Sequence, residues 1–187
     1  MDEFSYLSVL LSVILGLAVA QILKGFRGLL LSRARIRIYW PVIAWAVLIL
    51  LACFQSWWAM FGMRARHDWT FPQFAIVLLQ TVVTYMLAGL VFPDLFGESV
   101  IDLKESFYAH RRWFFAFGFA SVAVSVIKEV ILEGRLPLPT NLAFHIVFAA
   151  TIFIGACTRR EGYHKALVVC GLAAFVLYIV LLFARLQ

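Results

Sequence analysis

Six long stretches almost free of charge run between Phe4 and Ala184, and short basic connections separate them. Crossing the hydrocarbon core of a bilayer takes about 20 apolar residues. Residues 4–23, 38–63 and 69–93 carry no charge. Residues 113–127 are also clean; Lys128 and Glu129 interrupt, and the apolar run resumes through Leu132. Residues 136–158 hold His145 as their one ionisable histidine, and 166–184 hold no charged side chain. With 64% of its 187 residues hydrophobic, the chain has too little polar surface for a soluble domain. In lipid each span must satisfy its own backbone, so helices follow, and no polar–apolar alternation supports a barrel.

The predicted fold is all-α: one polytopic transmembrane domain over 1–187, with spans near 4–23, 39–61, 70–92, 113–132, 137–158 and 165–184. Six helices should pack as one compact bundle, with a short interfacial helix between spans three and four. Ala18-Val19-Ala20 before Gln21 has the outline of a signal-peptide cleavage site. The preceding charges are Asp2 and Glu3, while Lys24 and Arg27 lie downstream, so the first span is expected to be retained.

Basic residues set the expected orientation. Lys24, Arg27, Arg33, Arg35, Arg37, Lys104, Arg111, Arg112, Arg159, Arg160 and Lys165 fall on one side. Arg64, Arg66, Lys128, Arg135 and Arg185 fall on the other. Positive-inside then places both termini outside a bacterial-type inner membrane. The net charge of +6 fits anionic inner-leaflet lipid as a partner, and nothing resembles a nucleic-acid-binding motif. Trp40, Trp57, Trp58, Trp69 and Trp113 sit at expected span ends, while Trp45 lies deeper and should pack. Cys53, Cys157 and Cys170 have no C-x-x-C spacing and read as small buried hydrophobes.

The third connection repeats acids. Asp94, Glu98, Asp102 and Glu105 share a narrow face if the segment is helical, with Val100, Leu103 and Phe107 on another. Anionic lipid repels an acidic face, so these carboxylates should pair with basic protein, and Arg33, Arg35 and Arg37 lie on the same side. A divalent-cation site is the alternative, weakened by the absence of a companion His or Asn and by nearby Lys104 and Arg112. Within 33–38 basic and apolar residues alternate, which suits an extended strip with Ile36 and Ile38 dipping into lipid.

Ser8, Ser12, Gly16 and Ala20 recur every four residues along span one, and small residues on one face let helices approach closely. Span four is the expected partner, with homo-oligomer or membrane-partner contact as the alternative. Pro41 and Pro139 open spans two and five, but the residues after them do not align as an inverted repeat.

Polar groups at depth bear most directly on function. Gln55 falls in the outer half of span two. Gln80 lies ~13 Å and His145 ~10 Å from the outer surface, at 1.5 Å per residue. Glu129 is near that surface on span four. Ser121, Ser125, Glu129 and Glu133 form an i+4 stripe, and Thr81, Thr84 and Tyr85 extend the polar face below Gln80. Such stripes suit an outward-facing cavity that handles ions through Glu129, His145, Gln55, Gln80, Ser125 and Thr84, with Glu129 and His145 approaching each other. Snorkelling of Lys128 and Glu129 to the headgroups is the competing reading.

Glu161-Gly162-Tyr163-His164 has the E-x-x-H spacing of di-iron helices, but Gly162, Arg159 and Arg160 suggest a loop. No histidine pair suits a haem, and no phosphate loop, G-x-S-x-G or H-E-x-x-H occurs. No metal, cofactor or catalytic residue is assigned. A small-solute or ion transporter or channel subunit is the first functional reading, and a non-catalytic scaffold or sensor subunit the second.

The charge asymmetry makes a direct prediction. A reporter active only in the cytoplasm, fused after Gln187, should be silent. Activity there would overturn the orientation and every depth above.

Overall fold

The computed structural model describes residues 3–31, 36–94 and 100–182. Its six helices are α1 (Glu3–Leu31), α2 (Trp40–Met60), α3 (Phe71–Gly89), α4 (Leu103–Glu133), α5 (Pro139–Cys157) and α6 (Glu161–Leu182). Each is long and apolar enough to cross a membrane. A 3-10 turn, Phe61–Met63, follows α2, and two short strands, β1 (Ile36–Arg37) and β2 (Ile101–Asp102), pair in parallel.

Local chemistry sets the helix ends. Pro41 and Pro139 sit in the first turns of α2 and α5, where a missing N–H is harmless. Thr70 and Gln73 close a capping box at the start of α3. Asp102 caps α4: its Oδ1 accepts from the backbone N–H of Lys104 at 2.9 Å and of Glu105 at 3.2 Å. Gly134, at φ 66°, ends α4 in the left-handed conformation that glycine adopts without strain.

Neighbouring helices form a closed ring in the order α1, α3, α4, α5, α6, α2, and α2 also reaches inward to α3 and α4. At one end, here the Glu3 end, three segments converge. The Trp69 backbone N–H donates to Glu3 Oε2 at 3.3 Å, Phe4 stacks on Trp69, and Arg66 pairs with Glu133 at 2.7 Å. At the opposite strand end, Ile36 faces Ile101 and Arg37 faces Asp102. The larger core, including Ile22, Val42, Trp45, Ile49, Phe107, Phe114, Phe115 and Val168, extends from the strand end. A smaller one around Leu11, Leu15, Ile76, Val77 and Val124 lies nearer the Glu3 end. Large apolar side chains such as Val13, Leu17, Phe54, Ile127, Phe153 and Leu177 point outward, as lipid-facing helices require.

Four expectations need correction. Asp94 is not helical and Asp102 is extended, so no single interfacial helix carries the acidic stripe; Glu98 lies outside the described residues. Capping by Asp102 starts α4 at Leu103, ten residues before the expected span. Ile36 is buried in the protein core rather than in lipid, while Ile38 is exposed. Of the cysteines, only Cys53 is buried; Cys157 and Cys170 are exposed.

A fifth correction concerns α1, which continues through Lys24 and Arg27 to Leu31. Its buried face is Leu11, Leu15, Ala18, Ile22, Gly25 and Gly28, while Gly16 and Ala20 are exposed. Ser8 and Ser12 are half-buried, and Ser8 Oγ donates to the Ser5 carbonyl at 3.0 Å. Helix α1 packs on α3 and α2, not chiefly on α4. Small size permits close approach, but the bulkier Leu and Ile side chains make more van der Waals contacts when packed between helices. The close approach occurs at Gly25, where an added Cβ would run into the Phe92 ring. Phe92 is held edge-on by Phe26 at 5.4 Å.

Gly25→Leu should therefore destabilise the protein by about 1–3 kcal/mol through overpacking. Gly16→Ala should be neutral or stabilise by about 0.5–1 kcal/mol, the helix-propensity gain. Unfolding midpoints in detergent test both; an unchanged midpoint for Gly25→Leu would refute the contact.

Candidate functional site

The four-residue spacing of Ser121, Ser125 and Glu129 puts them on successive turns of one α4 face. Each meets a polar partner on a neighbouring helix. Gln80 Nε2 of α3 donates to Ser121 Oγ at 3.0 Å. His145 Nε2 of α5 lies 3.0 Å from Ser125 Oγ. Asn141 Nδ2 donates to Glu129 Oε2 at 2.7 Å. His145 Nδ1 lies 2.8 Å from the Asn141 carbonyl. A carbonyl only accepts, so Nδ1 carries a proton; in neutral imidazole, Nε2 then accepts from the Ser125 hydroxyl. His145 is buried, and Tyr178 of α6 stands edge-on to it at 6.4 Å.

Glu129 and His145 thus share a face but are linked through Asn141 rather than by direct contact. Asn141 was missed in the sequence. Its place one turn before His145 was the available signal, since i and i+4 lie on one helix face. Thr84 is buried, but its hydroxyl donates to the Gln80 carbonyl at 2.8 Å on its own helix. Gln55 is half-buried on α2 and joins none of these hydrogen bonds. Glu133 leaves the stripe to pair with Arg66 at the rim. Two buried acceptors, Gln80 Oε1 and Asn141 Oδ1, have no donor among the described residues. Glu129 adds a carboxylate, so this end of α4 is rich in acceptors.

The strand end is organised differently. Asp102 approaches Arg37 at 3.9 Å, and Glu161 lies between Lys104 and Lys165, the latter at 2.7 Å. These pairs are solvent-accessible, and such pairs contribute little stability. Glu105 is exposed at the first turn of α4, and Asp94 borders a cleft of about 220 Å³ with Lys24, Gly25 and Phe92. Arg33, Arg35 and Glu98 lie outside the described residues. Burial raises the pKa of the Tyr39 phenol above its ordinary value, and the Tyr108 hydroxyl and Glu161 carboxylate raise it further.

Two strand-end residues were not expected in the interior. Arg111 is buried beneath the end of α5, where Nη2 donates to the Ala156 carbonyl at 3.2 Å. His164, read from the sequence as part of a loop before the sixth span, is fully buried among Phe107, Tyr108 and Phe115. Arg111 was legible in retrospect: Leu103, Phe107, Arg111 and Phe115 follow one another at four-residue spacing on the buried face of α4.

Compared with family models, curated proteins and solved structures, the chain matches none.

Ser125→Ala would leave His145 Nε2 without its partner in the interior. The expected cost is about 1–3 kcal/mol, the penalty for a buried polar group left unpaired. The detergent unfolding midpoint should fall accordingly; no change would mean that the Ser125–His145 contact is not made.

Proposed function

We propose that this integral membrane protein is a small-solute or ion transporter or channel subunit, and that the proton is the ion its polar chain handles. The observation supporting this reading is the linked series Glu129, Asn141, His145 and Ser125, which leads from the Glu3 end into the bundle around a buried imidazole. Imidazole gains and loses a proton in the physiological range, and carboxylate–histidine chains serve as proton relays in membrane pumps and transporters. The unpaired oxygens of Gln80 and Asn141 suit a hydronium or a water that relays its proton. Under the expected orientation this chain opens outward.

A scaffold or sensor subunit is the second reading. It is favoured by the exposed Gly16 and Ala20, which no described residue of this chain covers although their size suits close packing.

Vesicles containing the purified protein and an internal pH-sensitive dye separate the two. An imposed proton gradient should collapse faster than in empty vesicles. Glu129→Gln should slow that collapse about tenfold or more, the loss expected when a charged hydrogen-bond partner worth ~1.5–3 kcal/mol is removed. Flux equal to that of empty vesicles would overturn the transport reading and leave the scaffold.

A further inference from the structure

Arg111 is the least compensated polar side chain in the interior. It is only 3% exposed, and of its three nitrogens only Nη2 has an acceptor, the Ala156 carbonyl. Nε and Nη1 are buried without a partner among the described residues, and no carboxylate forms an ion pair with the guanidinium there. Leaving a buried cation uncompensated costs several kcal/mol, so the native state requires something more than one neutral carbonyl.

The surroundings share this donor surplus. The Tyr39 and Tyr108 hydroxyls are also buried, near enough to act on each other but with no further partner among the described residues. Tyr108 stands 5.5 Å from the His164 ring and 6.5 Å from the Tyr39 ring, centroid to centroid. His164 Nε2 lies 3.0 Å from the Thr158 carbonyl and must donate to it, so the unpaired Nδ1 of the neutral ring is an acceptor and no part of that surplus. Tyr108 and His164 both lie within electrostatic reach of Arg111, and so do two further cations, Arg112 and Arg159. Glu161, a carboxylate of the strand-end cluster, is already held by Lys104 and Lys165. A water would bring as many donors as acceptors and no charge. An anion brings only acceptors and neutralises the guanidinium.

We propose that the buried strand-end cluster of Arg111, Tyr108 and Tyr39 binds a phosphate-class oxyanion, carried either by free phosphate or by a phospholipid headgroup. Arg111 supplies the charge through Nε and Nη1, and the two tyrosine hydroxyls supply neutral donors. Arg112 and Arg159 raise the local positive potential around the cluster. This site is independent of the Glu129–His145 chain. It lies at the opposite end of α4 and prefers charge of the opposite sign.

The test is the unfolding midpoint of delipidated protein in neutral detergent, with phosphate exchanged for chloride at constant ionic strength, and separately with added phosphatidic acid. A rise of several degrees with phosphate identifies the free anion as a ligand; a rise with phosphatidic acid alone identifies the headgroup. Either supports the site if Arg111→Met abolishes the rise and Arg135→Gln, at an exposed position beyond the opposite end of α4, retains it. Tyr108→Phe should raise the half-saturating concentration about tenfold, the loss of roughly one hydrogen bond to a charged group. It decides the matter should Arg111→Met not fold. No rise with either ligand, or a rise undiminished in Arg111→Met and Tyr108→Phe, would overturn the proposal.

Discussion

Hydrocarbon offers a polar side chain no hydrogen-bond partner, so every such group between the headgroups must find one within the protein. Helix α4 shows what that demands. It lies between α3 and α5 in the ring, and three successive turns of it make polar contacts, through Ser121 to Gln80, Ser125 to His145 and Glu129 to Asn141. Each contact is worth little, about 0.6–2 kcal/mol in membranes. Together they set the rotation of α4. A shift of one residue turns the face by roughly 100° and breaks all three at once. Apolar contacts between lipid-like surfaces have no comparable preference for one rotation.

The same helix carries opposite chemistry at its two ends. Toward Glu3 it presents acceptors: a carboxylate, and the unpaired oxygens of Gln80 and Asn141 close by. Toward the strands it presents a buried guanidinium among hydroxyls. Phe114 and Phe115 lie between, packed edge-on against Trp45 at 5.3 and 5.7 Å. From Arg111 to Ser121 the separation along α4 is roughly 15 Å.

Much of the architecture was legible because it depends on length and apolarity alone. Six apolar runs become six helices wherever water is absent, and the proline and Thr70–Gln73 signals mark where some begin. The acidic repeat of the third connection was misleading for a specific reason. Spacing of four residues shows what would share a face if the segment were helical, but not whether a capping side chain starts the helix elsewhere. Asp102 does so, and it changes Phe107 and Arg111 from residues of a surface segment into residues of the core. Span one misled similarly. Ser8, Ser12, Gly16 and Ala20 have the size for close packing, yet α1 turns Leu11, Leu15 and Ile22 inward and makes its tightest approach at Gly25.

The sequence by itself determined the number of spans and the order of polar residues along each, because rise per residue and apolar length are properties of a single helix. It also grouped Glu129, Gln80 and His145, which the fold brings toward one end of the bundle. Tertiary structure alone decided which of these meet: Asn141 stands between Glu129 and His145, Gln55 stays apart, and Arg111 with His164 is enclosed at the other end. Depth is a one-dimensional quantity that a chain carries with it. Rotation about each helix axis and the choice of neighbour arise only when six helices pack together, since they depend on side chains far apart in sequence satisfying one another.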